Sequence, residues 1–120
     1  MAQKKQPFDV TLTLTAAAGS NDVRMARVDA GWLYCLQRIA VENQTSASTD
    51  VRLLVAGGGE EVLIAEQDTP LAATLYWIAD PAYISEGRYL LARFSGCTAG
   101  DLLKVYLTGW KQKSLLLEED

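Results

Sequence analysis

The chain has 120 residues, the length of one domain, and its apolar fraction of 49% against 22% charged excludes a disordered chain, a collagen and a coiled coil. No apolar run reaches the ~20 residues that a membrane-spanning helix needs, so no membrane partner is expected. The net charge of −4, with arginines scattered at Arg24, Arg27, Arg38, Arg52, Arg88 and Arg93, leaves no basic face for nucleic acid.

The first element is signalled by Phe8, Val10, Leu12 and Leu14 alternating with Asp9, Thr11, Thr13 and Thr15, a strand with one buried and one wet face. Gly19 to Asp22 reads as a turn cluster, and Val23 to Val28 as a short strand. Trp32 to Glu42 is the longest strand candidate. Strict alternation puts Leu33, Cys35, Gln37, Ile39 and Val41 on one face and Trp32, Tyr34, Leu36, Arg38 and Ala40 on the other. Asn43 to Asp50 is a polar loop. Val51 to Ala56 and Glu61 to Ala65 flank Gly57-Gly58-Gly59, a hairpin whose glycines supply positive φ. Leu71 to Ala79, Arg88 to Phe94 and Leu102 to Trp110 complete the strands, and Leu115 to Glu119 has room for one helical turn. Eight short strands with turns between them predict an all-β, antiparallel, eight-stranded β-sandwich of jelly-roll type. The expected organisation is an extended N-terminal arm at 1–7, a sandwich domain at 8–110 and a C-terminal tail at 111–120.

Reactive chemistry finds little support in this pattern. Without histidine the chain lacks the commonest acid-base group and metal ligand, and its serines and cysteines have no such base. The triple glycine is followed by Glu60-Glu61 and a strand, where a phosphate loop needs Lys-Ser/Thr and a helix. Asp80 and Glu86 bracket an aromatic loop, but their spacing fixes no glycosidase geometry. Asp68, Asp80 and Asp101 have no regular calcium-loop spacing, and two distant cysteines make no zinc site. The expectation is a non-enzyme with no catalytic residue, no metal and no cofactor.

Cys35 and Cys97 are too few for a disulfide framework and read as free thiols. The start Met-Ala-Gln-Lys-Lys-Gln-Pro lacks the apolar core of a signal peptide, which predicts synthesis in a cytoplasm. The ends differ in sign: Lys4 and Lys5 near the start, Glu118, Glu119 and Asp120 at the finish. They read either as solvated tails or as arms that dock on neighbouring subunits. Three tryptophans and five tyrosines supply core or interface area, or a platform for sugars.

Several segments together resemble the small β-sandwich virion proteins of tailed bacteriophages, including capsid decoration (cement) proteins. These are Gly31-Trp32 opening a long strand, Arg38-Ile-Ala-Val-Glu-Asn43, Val51-Arg-Leu-Leu-Val55, Glu86-Gly87 before Leu90-Leu-Ala-Arg-Phe-Ser-Gly96, and Thr98-Ala-Gly-Asp101 leading into Val105-Tyr-Leu-Thr-Gly-Trp110. The resemblance implies a protein of the virion that binds the outer capsid shell and stabilises the head. Its partners would be the major capsid protein and copies of itself, as a trimer. On this reading Lys4, Lys5, Gln6 and Pro7 form the capsid-contact arm, and Tyr83 and Trp110 sit at an oligomer or partner interface. The alternatives are a carbohydrate-binding or host-adhesion module and a tail or neck accessory protein.

Overall fold

A computed structural model describes residues 4–78 and 80–113. The strands are β1 (Gln6–Thr15), β2 (Gly19–Arg24), β3 (Trp32–Asn43), β4 (Asp50–Gly57), β5 (Glu60–Asp68), β6 (Tyr76–Ile78), β7 (Ala82–Ser85), β8 (Tyr89–Cys97) and β9 (Leu102–Lys113). They form two sheets. In the first the order is β1-β9-β3, with β6 and β7 both paired along the far side of β3; in the second it is β2-β8-β4-β5. Every pairing is antiparallel. Counting β6 and β7 as one interrupted edge strand recovers the eight-stranded jelly roll expected from the sequence.

Nine strands stand where eight were expected because the segment read as Leu71 to Ala79 is not one strand. Its first half is a loop in which Ala73 takes φ 53°, and only Tyr76–Ile78 pairs with β3. Pairing resumes at Ala82, after Pro81, which has no N–H to give a ladder. Ala79 lies outside the described residues. Gly19 and Asp22 belong to β2 and not to a turn, and β2 ends at Arg24. The hairpin reading of the glycines holds: Gly57 pairs with Glu60, and Gly58 and Gly59 have φ of 65° and 81°, the left-handed pair a two-residue type I′ loop requires.

The first strand begins at Gln6 and the last ends at Lys113. Gln6 and Pro7 are paired strand residues, opposite Lys111 and Trp110, so the segment ahead of the sheet is shorter than 1–7. Lys111–Lys113 continue β9 alongside β3 rather than starting a tail. The rest of the expected arm, 1–3, and the tail from 114, including the turn read at Leu115 to Glu119, lie outside the described residues.

The core fills the space between the sheets. Leu36, Ile39 and Val41 of β3 and Leu103, Val105 and Leu107 of β9 face Val51 and Leu53 of β4 and Leu90, Ala92 and Phe94 of β8. Strict alternation along β3 would place Leu36 and Ile39 on opposite faces. They share one because Leu36 pairs with Gly109 and Arg38 with Thr108, leaving Gln37 as the extra residue of a bulge. Gly109 makes the bulge possible. A Cβ there would collide with the Cys35 carbonyl oxygen and sit 2.9 Å from the Gln37 nitrogen.

One end of the sandwich is tied by a buried polar hub. Asp101 Oδ2 accepts hydrogen bonds from Asn43 Nδ2 (2.9 Å), Ser46 Oγ (2.7 Å) and the Thr98 amide (2.9 Å). Asn43 Nδ2 also donates to Ser48 Oγ, and the Asn43 carbonyl accepts from the Ala73 amide. The Asp101 backbone binds Ala16. The β3–β4 and β8–β9 connections therefore meet at one carboxylate, with the β1–β2 connection on the Asp101 backbone and the β5–β6 loop on that of Asn43. Burial alone would push this carboxyl up, but the three hydrogen bonds outweigh it and hold it below the ordinary carboxylate range.

Two stability predictions follow from these contacts. Gly109→Ala should lower the urea-unfolding free energy by roughly 3 kcal/mol, whereas Thr108→Ala, on an exposed neighbour, should change it by less than about 0.5 kcal/mol. The Asp101 contribution is present above the unfolded carboxyl value of about 3.9 and is lost as pH falls through the lower folded value. A urea midpoint series against pH should therefore drop below about pH 4. Asp101→Asn should weaken that acid dependence and cost about 1–3 kcal/mol at neutral pH.

Candidate functional site

The two outer faces of the sandwich differ in chemistry. On the β2-β8-β4-β5 sheet, Leu54, Ala56 and Leu91 lie on the outer side yet are buried. Charged side chains from neighbouring strands surround them. Arg93 makes a two-point contact with Asp22 (2.9 and 3.1 Å) and another with Glu61 (3.1 Å each). The hydrogen bonds from Arg93 hold Glu61 below its ordinary value, and those to Asp22 and Glu61 push Arg93 further up. Arg52 pairs with Glu66 and Asp50, and Arg88 with Glu60. Each of these arginines thus meets a carboxylate on this face.

The outer face of the other sheet is aromatic. Pro7, Trp110, Cys35 and Tyr83 form one cross-strand row, and Thr11, Tyr106, Ala40 and Trp77 another. Arg38 lies in the row between them. Strands are 4.7–4.9 Å apart, and two strand spacings separate Trp110 from Tyr83. Their ring centroids nevertheless approach to 6.4 Å, edge to face, so the rings lean together over the buried Cys35. Arg38 stacks 5.0 Å from the Trp77 ring, with Gln37, Arg38, Trp77 and Ile78 lining a groove of about 350 Å³. Tyr106 donates to Glu42, which pushes its phenol up.

This aromatic face continues onto one edge of the sandwich. Among the described residues, the large apolar side chains left exposed are Val62, Leu63, Ile64, Leu71, Leu75, Trp77 and Tyr83. All belong to β5, β6, β7 or the loop between β5 and β6. β5 is the edge of its sheet, β6 and β7 the edge of theirs, so the exposure is one-sided. Leu63, opposite Leu54, lies on the outer side of the second sheet; exposed apolar side chains gathered on one edge are candidates for an interaction surface. Backbone bonds from Ala73 to Asn43 and from Thr69 to Thr49, with the Leu71 amide on the Tyr76 hydroxyl, fix the loop.

The residues singled out from the sequence come partly together. Lys5 Nζ lies 4.4 Å from the Trp110 ring, and Trp110 contacts Tyr83, so these three form one connected group. Lys4 is exposed, and Gln6 and Pro7 are held in β1. Trp77 is one of the aromatics that the sequence offers as core, interface or sugar platform; that Arg38 lies beside it follows only from the β3 bulge and the short pairing of β6. Both cysteines are free and buried; burial pushes the Cys97 thiol up. Asp50, Glu66 and Asp68 bring carboxylate oxygens within 4.8 Å of one another, but Arg52 sits 3.2 Å from Glu66 and 3.7 Å from Asp50, in the place a cation would take.

No protein-family model and no curated protein matches the sequence. Solved structures that superpose on it include the GH26-CBM35 β-(1,4)-mannanase of Podospora anserina, at 14% identity over 88% of this chain and 28% of that one, TM-score 0.45. The Drosophila NLP core, described for pentamer formation and histone binding, superposes at 13% identity over 83% and 95%, TM-score 0.44. A family 35 carbohydrate-binding module from Clostridium thermocellum does so at 15% identity over 88% and 98%, TM-score 0.38. Likenesses of this size carry no argument about what the chain binds.

If the exposed rings serve contact rather than folding, Trp77→Ala and Tyr83→Ala should each shift the unfolding free energy by less than about 0.5 kcal/mol. Leu107→Ala, fully buried, should cost about 2–5 kcal/mol in the same titration.

Proposed function

We propose that the chain is a non-enzymatic virion protein, a capsid decoration protein that docks on the outer shell through the patch running from β5 over β6 and β7 to Trp110. One observation carries the reading: the large apolar side chains left exposed among the described residues all fall between Val62 and Tyr83. The patch combines Trp, Tyr and Arg, the residue types that dominate binding energy at protein interfaces. Lys5 at its rim adds steering toward an acidic partner more than affinity. The shell as partner comes from the resemblance stated above, and homo-oligomerisation would multiply weak contacts.

A second reading has its own observation. Trp110, Tyr83, Tyr106 and Trp77 share one sheet face, the arrangement a carbohydrate-binding module would use. Against it, Lys5 and Arg38 already lie over the Trp110 and Trp77 rings, where a sugar would stack.

The test is pelleting with shells assembled from the major capsid protein encoded in the same genome. The wild-type chain should pellet with the shells. Trp77→Ala combined with Tyr83→Ala should weaken binding by about a hundredfold, two side chains at roughly 1.4 kcal/mol each. No pelleting, together with oligosaccharide binding that the same double variant abolishes, would turn the assignment to the second reading.

A further inference from the structure

Between Arg52 and Arg88 the chain has no Lys or Arg, and it has six carboxylates, Glu60, Glu61, Glu66, Asp68, Asp80 and Glu86. This stretch builds one side of the sandwich, with β5 as the edge of one sheet and β6 and β7 as the edge of the other. On the opposite side β1 packs against β2. Here two clefts part the edges, and Ile78 lines both. One, of about 60 Å³, reaches the core residues Val51 and Leu53 between Ala65 and Tyr76. The other, of about 160 Å³, lies between Ile64 and Tyr83, with Asp80 at it. The edge of β5 is also open along its backbone. In a two-residue hairpin the residues flanking the loop, here Gly57 and Glu60, form a hydrogen-bonded pair, and bonded and non-bonded pairs alternate from there. Glu61 opposite Ala56 and Leu63 opposite Leu54 are the non-bonded positions, so their N–H and C=O turn away from β4, to the side where β5 has no neighbouring strand.

We propose that this edge takes an extended, cationic segment of a partner protein, which adds to β5 as a further strand, sets apolar side chains in the two clefts and brings Lys or Arg to Asp68 and Asp80. The proposal rests on reading the patch as a docking surface and names what its β5 side accepts. Charge selects the occupant. Glu60 meets Arg88, Glu61 meets Arg93 and Glu66 meets Arg52, and the last two arginines are shared with Asp22 and Asp50. Asp68 and Asp80 meet no cation among the described residues. A second copy joined edge to edge supplies none. Antiparallel pairing of β5 with itself sets the Glu60-Glu61 end against the Glu66 and Asp68 end, parallel pairing in register sets each carboxylate beside its counterpart, and β6 and β7 carry no Lys or Arg. Like charges directly opposite destabilise a strand pair, and opposite charges stabilise it. Lys5 and Arg38 lie on the outer face of the other sheet, over the Trp110 and Trp77 rings, and line neither cleft.

The experiment is an NMR titration of the full chain with two capped synthetic peptides, Lys-Lys-Val-Thr-Val-Lys-Lys and its counterpart with Glu in place of every Lys. The cationic peptide should shift the backbone amides of Glu61 and Leu63 and bind at least about tenfold more tightly than the acidic one. Asp68→Lys with Asp80→Lys should invert that preference. Leu63→Pro, which removes an outward N–H and leaves the bonded pairs to β4 in place, should abolish binding, with far-UV circular dichroism to confirm folding; if that variant unfolds, the charge inversion decides. Equal binding of the two peptides, amide shifts that leave β5 untouched even at millimolar peptide, or a preference that survives the double reversal would overturn the proposal. Shell pelleting separates the two readings. A chain that pellets through Trp77 and Tyr83 but ignores the cationic peptide defeats the added strand and leaves the docking surface standing. A chain that binds the peptide and does not pellet supports the added strand and removes the shell as partner.

Discussion

The close approach of Gly109 to the β3 backbone is the constraint on which the sheet depends. Where β3 passes Gly109 it carries one residue more than its partner, Gln37, and the face assignment of every later residue shifts by one. The shift keeps Leu36, Ile39 and Val41 all directed at the core. It also keeps Arg38 out of it. In unbroken alternation Arg38 would share a face with Leu36, and a guanidinium would be buried without a partner, at large cost. A missing side chain on β9 thereby decides both the continuity of the core and the presence of a cation on the aromatic face.

The two outer faces show how differently one sandwich can finish its surface. Over Leu54, Ala56 and Leu91, two-point Arg–carboxylate contacts hold three strands together. On the opposite face the rings are held by one another and by cations, and two of them stay 62% exposed. Exposed Trp and Tyr cost a soluble protein solubility. Their confinement to one edge, with the apolar run of β5, is what an adhesive surface needs and a solvated wall does not.

The hub at Asp101 links this surface to the fold. The connections β3–β4 and β8–β9 converge on its carboxylate and β1–β2 on its backbone, and the Asn43 carbonyl holds the loop that carries Leu71 and Leu75. A buried carboxylate is stable there because three donors replace the water it lost. The loop residue Ala73, in a left-handed conformation that costs a side-chain-bearing residue energy, is fixed by that same contact. The apolar loop is thus positioned by polar chemistry at the end of the sandwich.

Local pattern in the sequence determined the class of fold, the first and last strands and the hairpin. Alternation in Phe8–Thr15 and Leu103–Thr108 and the glycines at 57–59 are short-range signals, and short-range physics suffices to read them. The acidic end was legible too, as composition. What only the tertiary structure decided was everything that requires knowing which strands are neighbours. The β3 bulge needs a glycine on β9, the break between β6 and β7 needs the edge of β3, and the gathering of Lys5, Trp110, Tyr83, Arg38 and Trp77 needs four strands in register. A period-two pattern states which residues of one strand share a face. It carries no information about the strand beside it, because that neighbour is chosen by packing between residues far apart in the chain.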